Sequence, residues 1–403
     1  MANIQPFKAI RPTRDKASLV ASRSYLTYSK DALKEKLESN PFTFLHVINP
    51  DFSDKIKVNN QELKYQLVKK KFKSFFKQGI FEEENDACYY IYQHSKDEKC
   101  YTGIIAGASL EDYLKGEIKI HEQTISKREE MFCDYLKTTG FNAEPVLLTY
   151  KKSDIINHLI SIYSKQRPEY EFTTTNKVTH KLWLVNKSKD IESISQEFKK
   201  VGSLYIADGH HRMSSSSLLY KENKTKANAY CMSYLISDNQ ISVQNFNRLV
   251  KDLNGLSVFT FLNKLENNFT VTEKSEYYKP TLHDEISMYI DGKWYSLIYG
   301  PKENKTLNVV DKLDPSILTD NILSPILNIF DLRTDKRISF IDGTNLDTAI
   351  KKVDKKEFKI LFVLKSISIE TVKEVADKKL SMPPKSTYIE PKLRSGLTIY
   401  KLD

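Results

Sequence analysis

"LYIADGHHRMSSSSLLY", residues 204–220, sets two of the chain's eight histidines and one of its ten arginines directly after an Asp-Gly pair. Residues 204–208 read as a short apolar and aromatic strand, and Gly209 permits a tight turn. The polar run that follows reads as the start of a helix. Backbone N–H groups there lack intrahelical partners and the helix dipole favours negative charge, so an anion is expected to bind at this stretch. Arg212 would add a bidentate donor to a phosphate, and Ser214 with Ser215, Ser216 and Ser217 would line the same end with hydroxyls. Asp208, at the carboxyl end of the strand, suits a metal or the orientation of His210 or His211. The plainer alternative is a hydrogen-bonded surface turn.

Outward from this stretch the pattern alternates. Strands are expected at 144–150 and 179–186, with helices at 155–166 and 191–200 between them and the motif strand. Earlier, "FKAIRP" is extended, 30–37 is helical, and "NPFTFLHVINP" holds a strand between its prolines. Residues 61–79 form an amphipathic helix ended by glycine. "ACYYIYQHS" and "CYTGIIAGAS" form a hairpin around "KDEK", followed by helices at 110–114 and 126–138. Later come a strand in "ANAYCMSYLIS", a helix in 245–257 ended by Gly255, and the hairpin "EISMYIDGKWYSLIY" on its Asp-Gly turn. Strand "FKILFVLKS", helix "IETVKEVADKKL" and strand "GLTIYKL" close the chain. The fold class is mixed α/β, of the α+β kind. Two domains are expected, a catalytic core over 1–255 and a C-terminal α/β region over 256–403 that packs on it and completes the site.

With 403 residues, 40% of them hydrophobic, the chain can bury a sizeable core. The opening "MANIQPFKAIRP" has no apolar signal region and no apolar run is long enough to span a bilayer, so a cytoplasmic location without membrane contact is expected. Cys88, Cys100, Cys133 and Cys231 lie far apart with no Cys-x-x-Cys pair, which argues against a zinc site or a disulfide framework. The net charge of +10 is carried mainly by lysines interleaved with acidic residues. That describes a solvated surface, and nucleic acid is not an expected partner.

Four further stretches carry chemistry-bearing residues. In "GEIKIHEQTISKREE", 116–130, His121, Glu122 and Thr124 precede Lys127 and Arg128, so an acid/base group and two cations stand near one helix start. It is not a His-Glu-x-x-His zinc motif, because position 125 is isoleucine. "NFNRLVKDLNGLS", 245–257, offers Asn247 and Arg248, and "DLRTDKRISFIDG", 331–343, offers Arg333, Asp335 and Arg337. "LSMPPKSTYIEPKLRSG", 380–396, offers a rigid turn with Lys385, Ser386 and Thr387, suited to phosphate. None is a P-loop.

The pieces "FKAIRP", "NPFTFLHVINP", "DYLKGEIKIHEQT", "YIADGHHR", "FNRLVKDLNG" and "SMPPKSTYIEPKLRSGL", in this order, closely resemble the family termed domain of unknown function one-thousand-fifteen. The Asp-Gly-His-His-Arg element is in turn similar to that of the SerK free-serine kinases of the ParB/sulfiredoxin superfamily. The resemblance implies a ParB/sulfiredoxin-like nucleotide-binding core and a small-molecule kinase. Its partners would be a nucleotide, ATP or ADP, and free L-serine, giving O-phospho-L-serine with Mg²⁺ as cofactor. It implies Asp208, with Gly209, His210, His211 and Arg212, as the phosphate and metal element, with Mg²⁺ at Asp208. Glu122 becomes the base. Ser214, Lys127, Arg128, Lys385, Ser386 and Thr387 face phosphate, and His121, Thr124, Asn247 and Arg248 face substrate. Relatives carry a Pro-Pro-Tyr-Asp segment where this chain has "ASRSYLTYS", 21–29, which keeps only Tyr25. A ParB-like nucleotide switch and a metal-dependent hydrolase or nuclease stay open as alternatives.

Overall fold

The alternation expected over 144–208 is realised inside a nine-stranded mixed sheet. The structure is a computed structural model and describes residues 2–53, 60–300 and 307–402. They fall into two compact units. The first comprises Met1–Ile120, Thr124–Ile241 and Pro391–Asp403, and the second His121–Gln123 with Ser242–Glu390.

In the first unit the strand order is Ile118–Lys119, Leu204–Asp208, Val146–Tyr150, Tyr230–Ser237, Lys99–Ser109, Tyr89–Lys96, Thr179–Val185 and Tyr170–Thr173, with Ile4–Gln5 pairing on Lys99–Ser109. Leu204–Asp208 runs parallel to Ile118–Lys119 but antiparallel to Val146–Tyr150. The start of Val146–Tyr150 therefore meets the end of the motif strand, with Asp208 opposite Leu147. Helices Asp154–Ser164 and Ser188–Phe198 send Ile156, Ile160, Ile194 and Phe198 into the core beside Leu148, Tyr150 and Ile206. Burying these side chains is the main stabilising term, about 1.5–3 kcal/mol for each large apolar residue.

The second unit is built on a six-stranded antiparallel sheet. Its order is Phe269–Lys274, Lys293–Tyr299, Glu285–Ile290, Ile360–Val363, Phe246–Val250 and Ile338–Asp342. The expected hairpin turns at Asp291 and Gly292, both at positive φ.

Two expectations are corrected. The stretch 40–50 holds no strand; it forms the single-turn helix Leu45–Ile48 and starts a second, Pro50–Ser53. Phe44 and Val47, three apart, share one buried cluster, a spacing that suits a helical turn. In 245–257 the expected helix is the strand Phe246–Val250. It is flanked by Ile338–Asp342 and Ile360–Val363 and buried on both faces from Asn247 to Val250, so it shows no apolar-polar alternation. Asn254 and Gly255, both at positive φ, form the turn that follows.

Candidate functional site

The motif folds as strand Leu204–Asp208, a turn at Gly209 and helix His210–Glu222, as its sequence predicts. Gly209 sits at φ 96°, and a Cβ there would lie 2.9 Å from Arg212 Nε and Nη2. Glycine is favoured here by its left-handed backbone, and a Cβ would also have to displace the guanidinium folded back across it. The helix start has no side-chain cap, and the first intrahelical bond shown runs from Met213 N to the Gly209 carbonyl.

Arg212 is the hub of this turn. Its Nη1 donates to the Pro145 carbonyl at 2.8 Å and pairs with Glu144 Oε1 at 2.8 Å, while Nη2 donates to Asp208 Oδ2 at 3.2 Å. Asp208 Oδ1 in turn lies 3.3 Å from Lys392 Nζ. Burial works against the charge on Asp208, but Lys392 and Arg212 outweigh it and hold the carboxyl below its usual range. Burial likewise opposes the charge on Arg212, and Glu144 with Asp208 overcomes it and raises the guanidinium. Asp208 keeps 42% of its side chain exposed, so its ionised carboxylate is still partly open to solvent beside the helix start.

Sequence reasoning missed Glu144 and Lys392. Glu144 precedes the strand antiparallel to the motif strand, which brings it to the end where Asp208 lies. Lys392 belongs to the segment Pro391–Asp403 that returns to the first unit, and no local pattern marks that return.

Ser214 and Thr124 both donate to Glu129 on the neighbouring helix Ser126–Thr139. Burial opposes ionisation of Glu129, yet these hydroxyls and His211 hold its carboxyl below the usual range. Glu129 is thus a second missed carboxylate, beside the motif helix. Lys127 and Arg128 occupy the exposed first turn of Ser126–Thr139. His210 is buried and His211 half-buried. Ser215, Ser216 and Ser217 do not line the anion end; they are buried, and Ser215 and Ser216 donate to the carbonyls of His211 and Arg212 one turn back. The motif helix packs on Ser126–Thr139.

The remaining candidates lie in the second unit, where several meet. The His121 carbonyl accepts from Met382 N at 2.9 Å, and Arg248 Nη2 donates to the Lys385 carbonyl at 3.2 Å. Asn247 Oδ1 accepts from Asn245 Nδ2 at 2.5 Å. Arg248 is 1% exposed, and burial pushes it down to about 9 against the influence of Asp314. Lys385 is exposed at φ 57° with Nζ 5.1 Å from the centre of the Phe246 ring. Ser386 is buried and donates to the Pro383 carbonyl, Thr387 is half-buried beside it, and Glu122 is half-buried. Asp252 and Asp335 flank Arg337 at 3.6 Å and 2.9 Å, which makes that cluster a turn clamp.

Among the described residues no group of three or more His, Cys, Asp or Glu side chains is placed to hold a metal ion, and no helix is long and apolar enough to cross a membrane.

The chain belongs to the family described as "Protein of unknown function (DUF1015)", whose model matches residues 4–316. No curated protein matches the chain. Among solved structures it is similar to a free serine kinase variant in complex with AMP, at a TM-score of 0.39 and 14% identity over 73% of this chain and 92% of that one. A free serine kinase variant in complex with ADP gives a TM-score of 0.39 and 15% identity over 75% of this chain and 94% of the other. SbnI with a C-terminal truncation, from Staphylococcus aureus, gives 0.38 and 13% over 73% and 87%.

Proposed function

We propose that this member of the family is a small-molecule kinase that moves a phosphoryl group from a nucleotide, ATP or ADP, to the hydroxyl of free L-serine. The observation that carries the reading is the turn at Gly209. An uncapped helix start, an ionised Asp208 and two cations, Arg212 and Lys392, stand together there. The resemblance of Asp208–Gly209–His210–His211–Arg212 to the free-serine kinase element supports the same chemistry and a ParB/sulfiredoxin-like core within 1–255.

Phosphoryl transfer asks the protein for in-line positioning and charge neutralisation more than for covalent chemistry. The orphan N–H groups at the start of His210–Glu222 bind donor phosphate oxygens. Phosphate competes with Glu144 and Asp208 for Arg212, so nucleotide binding loosens the guanidinium from its present partners. His210 or His211 contacts the transferring group. Mg²⁺ ordinarily takes one or two carboxylates together with phosphate oxygens, and the ionised, accessible Asp208 fits the carboxylate part of that requirement. When bound, the ion neutralises charge on the phosphates.

The acceptor hydroxyl must lose a proton; free-serine kinases are expected to use a glutamate for this, and Glu122, in the family stretch 116–130, is the proposed base. Lys127, Arg128 and Lys385 are the proposed balancing cations, with Ser386 and Thr387 as further hydrogen-bond donors to phosphate and Thr124, His121, Asn247 and Arg248 as substrate contacts. Incubation with L-serine, Mg²⁺ and ATP or ADP, followed by phosphorus NMR, tests the reading. O-phospho-L-serine is the expected product. Nucleotide turnover without it would favour the switch or hydrolase alternative.

A further inference from the structure

The first unit contains a cavity of about 320 Å³ whose lining has no residue of the 208–212 motif. Among the described residues three cations face it, Arg23, Lys36 and Arg394, and no carboxylate does. Hydroxyls of Ser22, Thr43 and Thr174 extend the polar wall. A cavity at the lower end of the roughly 300–1,000 Å³ typical of small-molecule sites leaves room for an anionic head and a short body.

Arg394 is the informative residue. It is 9% exposed, and among the described residues its donors reach only neutral acceptors, His180 Nε2 at 3.4 Å and Asn176 Oδ1 at 3.5 Å. His180 is itself held at Nδ1 by the Tyr92 hydroxyl at 2.7 Å. Burial, with Arg394 second, pushes its imidazole down to about 2, so it carries no charge near neutral pH. Burial lowers the Arg394 guanidinium and the like charge of Arg23 adds to it, while the Tyr92 and Tyr28 hydroxyls oppose. A buried guanidinium without a counter-charge is costly, and one that faces a second cation costs more. Among the described residues the buried Ser22 hydroxyl also has no hydrogen-bond partner. Lys36 sits with Nζ 5.9 Å from the Tyr28 ring centre.

We propose that this cavity binds a small, polar phosphomonoester, with Arg394 and Arg23 on the phosphate and Lys36 at the rim. Three cations match a dianionic head better than a single carboxylate, and the hydroxyls suit its several acceptor oxygens. The hydroxyl-rich wall favours a polar rather than an apolar body. The inference stands apart from the phosphoryl-transfer reading, because it uses none of the motif residues.

Titration calorimetry with glycerol 3-phosphate, glycerol, malonate and ADP as probes tests it. The wild-type protein should bind glycerol 3-phosphate and not glycerol. The double variant Arg23→Ala/Lys36→Ala, which changes only exposed side chains, should keep its melting temperature and lose at least tenfold in affinity. Arg212→Ala should bind glycerol 3-phosphate as the wild type does, which separates this site from the motif. Absence of binding at millimolar probe, or unchanged affinity in the double variant, overturns the site. Malonate binding as tightly overturns the phosphate assignment, and ADP binding lost in the double variant overturns a site separate from the nucleotide.

Discussion

Lys392 Nζ lies 3.3 Å from Asp208 Oδ1, so the charge of the motif carboxylate is balanced by a residue from the far end of the chain. The Asp-Gly-His-His-Arg turn is therefore completed only when the segment Pro391–Asp403 has returned to the first unit. A motif that is local in sequence depends on a non-local ion pair.

This relationship predicts the behaviour of Lys392→Ala. The Asp208 carboxyl is held below its usual range, so its pairing stabilises the fold above the ordinary carboxylate pKa and is lost as pH falls through the depressed value. The pair is partly exposed, and the expected loss at neutral pH is below about 1 kcal/mol in urea unfolding. Carboxyl NMR should show Asp208 titrating at higher pH in the variant. An unmoved titration would remove Lys392 from the account.

Gly209→Ala should be more damaging than its size suggests. The residue must sit at φ 96° and its methyl group would meet the Arg212 guanidinium at 2.9 Å. A loss of about 1–3 kcal/mol in urea unfolding is expected, from the strained backbone alone. A loss under about 0.5 kcal/mol would mean that the turn is looser than described.

Two glutamates separate base from scaffold. Glu122→Gln should lower turnover by roughly 10²–10⁴-fold, the range for losing a general base. Glu129→Gln keeps an acceptor for the Ser214 and Thr124 hydroxyls and should lower turnover far less. Comparison of kcat for the two variants decides the matter, and the reverse order would move the base to Glu129.

The second unit has its own pH signature. Burial pushes the Asp314 carboxyl up to about 6, against the backbone N–H of Asp284 that it accepts from. A raised carboxyl favours the fold when protonated, so this contribution is present below the ordinary carboxylate pKa and is lost as pH rises through about 6. The wild type should lose on the order of 2–3 kcal/mol between pH 4 and 7 from this group, and Asp314→Asn should flatten that part of the profile. Urea unfolding at several pH values checks it.

The sequence made the motif legible because strand, turn and helix start are all local, and Asp208 through Arg212 stand where it predicts. It also located the hairpins at 97 and 291, where turn chemistry is local. It misread 246–250, since a strand buried on both faces loses the alternation that identifies strands. Glu144 and Lys392 were invisible for another reason: sheet order and chain return, not spacing, bring them to Asp208. The cavity at Arg394 was equally hidden, because residues from three distant segments line it.

The central claim is that the Arg212 turn serves phosphoryl transfer to L-serine. The most direct measurement is the rate of O-phospho-L-serine formation by wild type and Arg212→Ala, with melting curves to confirm that both are folded. The account predicts product from the wild type and a loss of roughly 10²–10³-fold in the variant, the range for removing one charge-stabilising donor. Equal rates in the two folded proteins, or no phosphoserine from the wild type with either nucleotide, would contradict it.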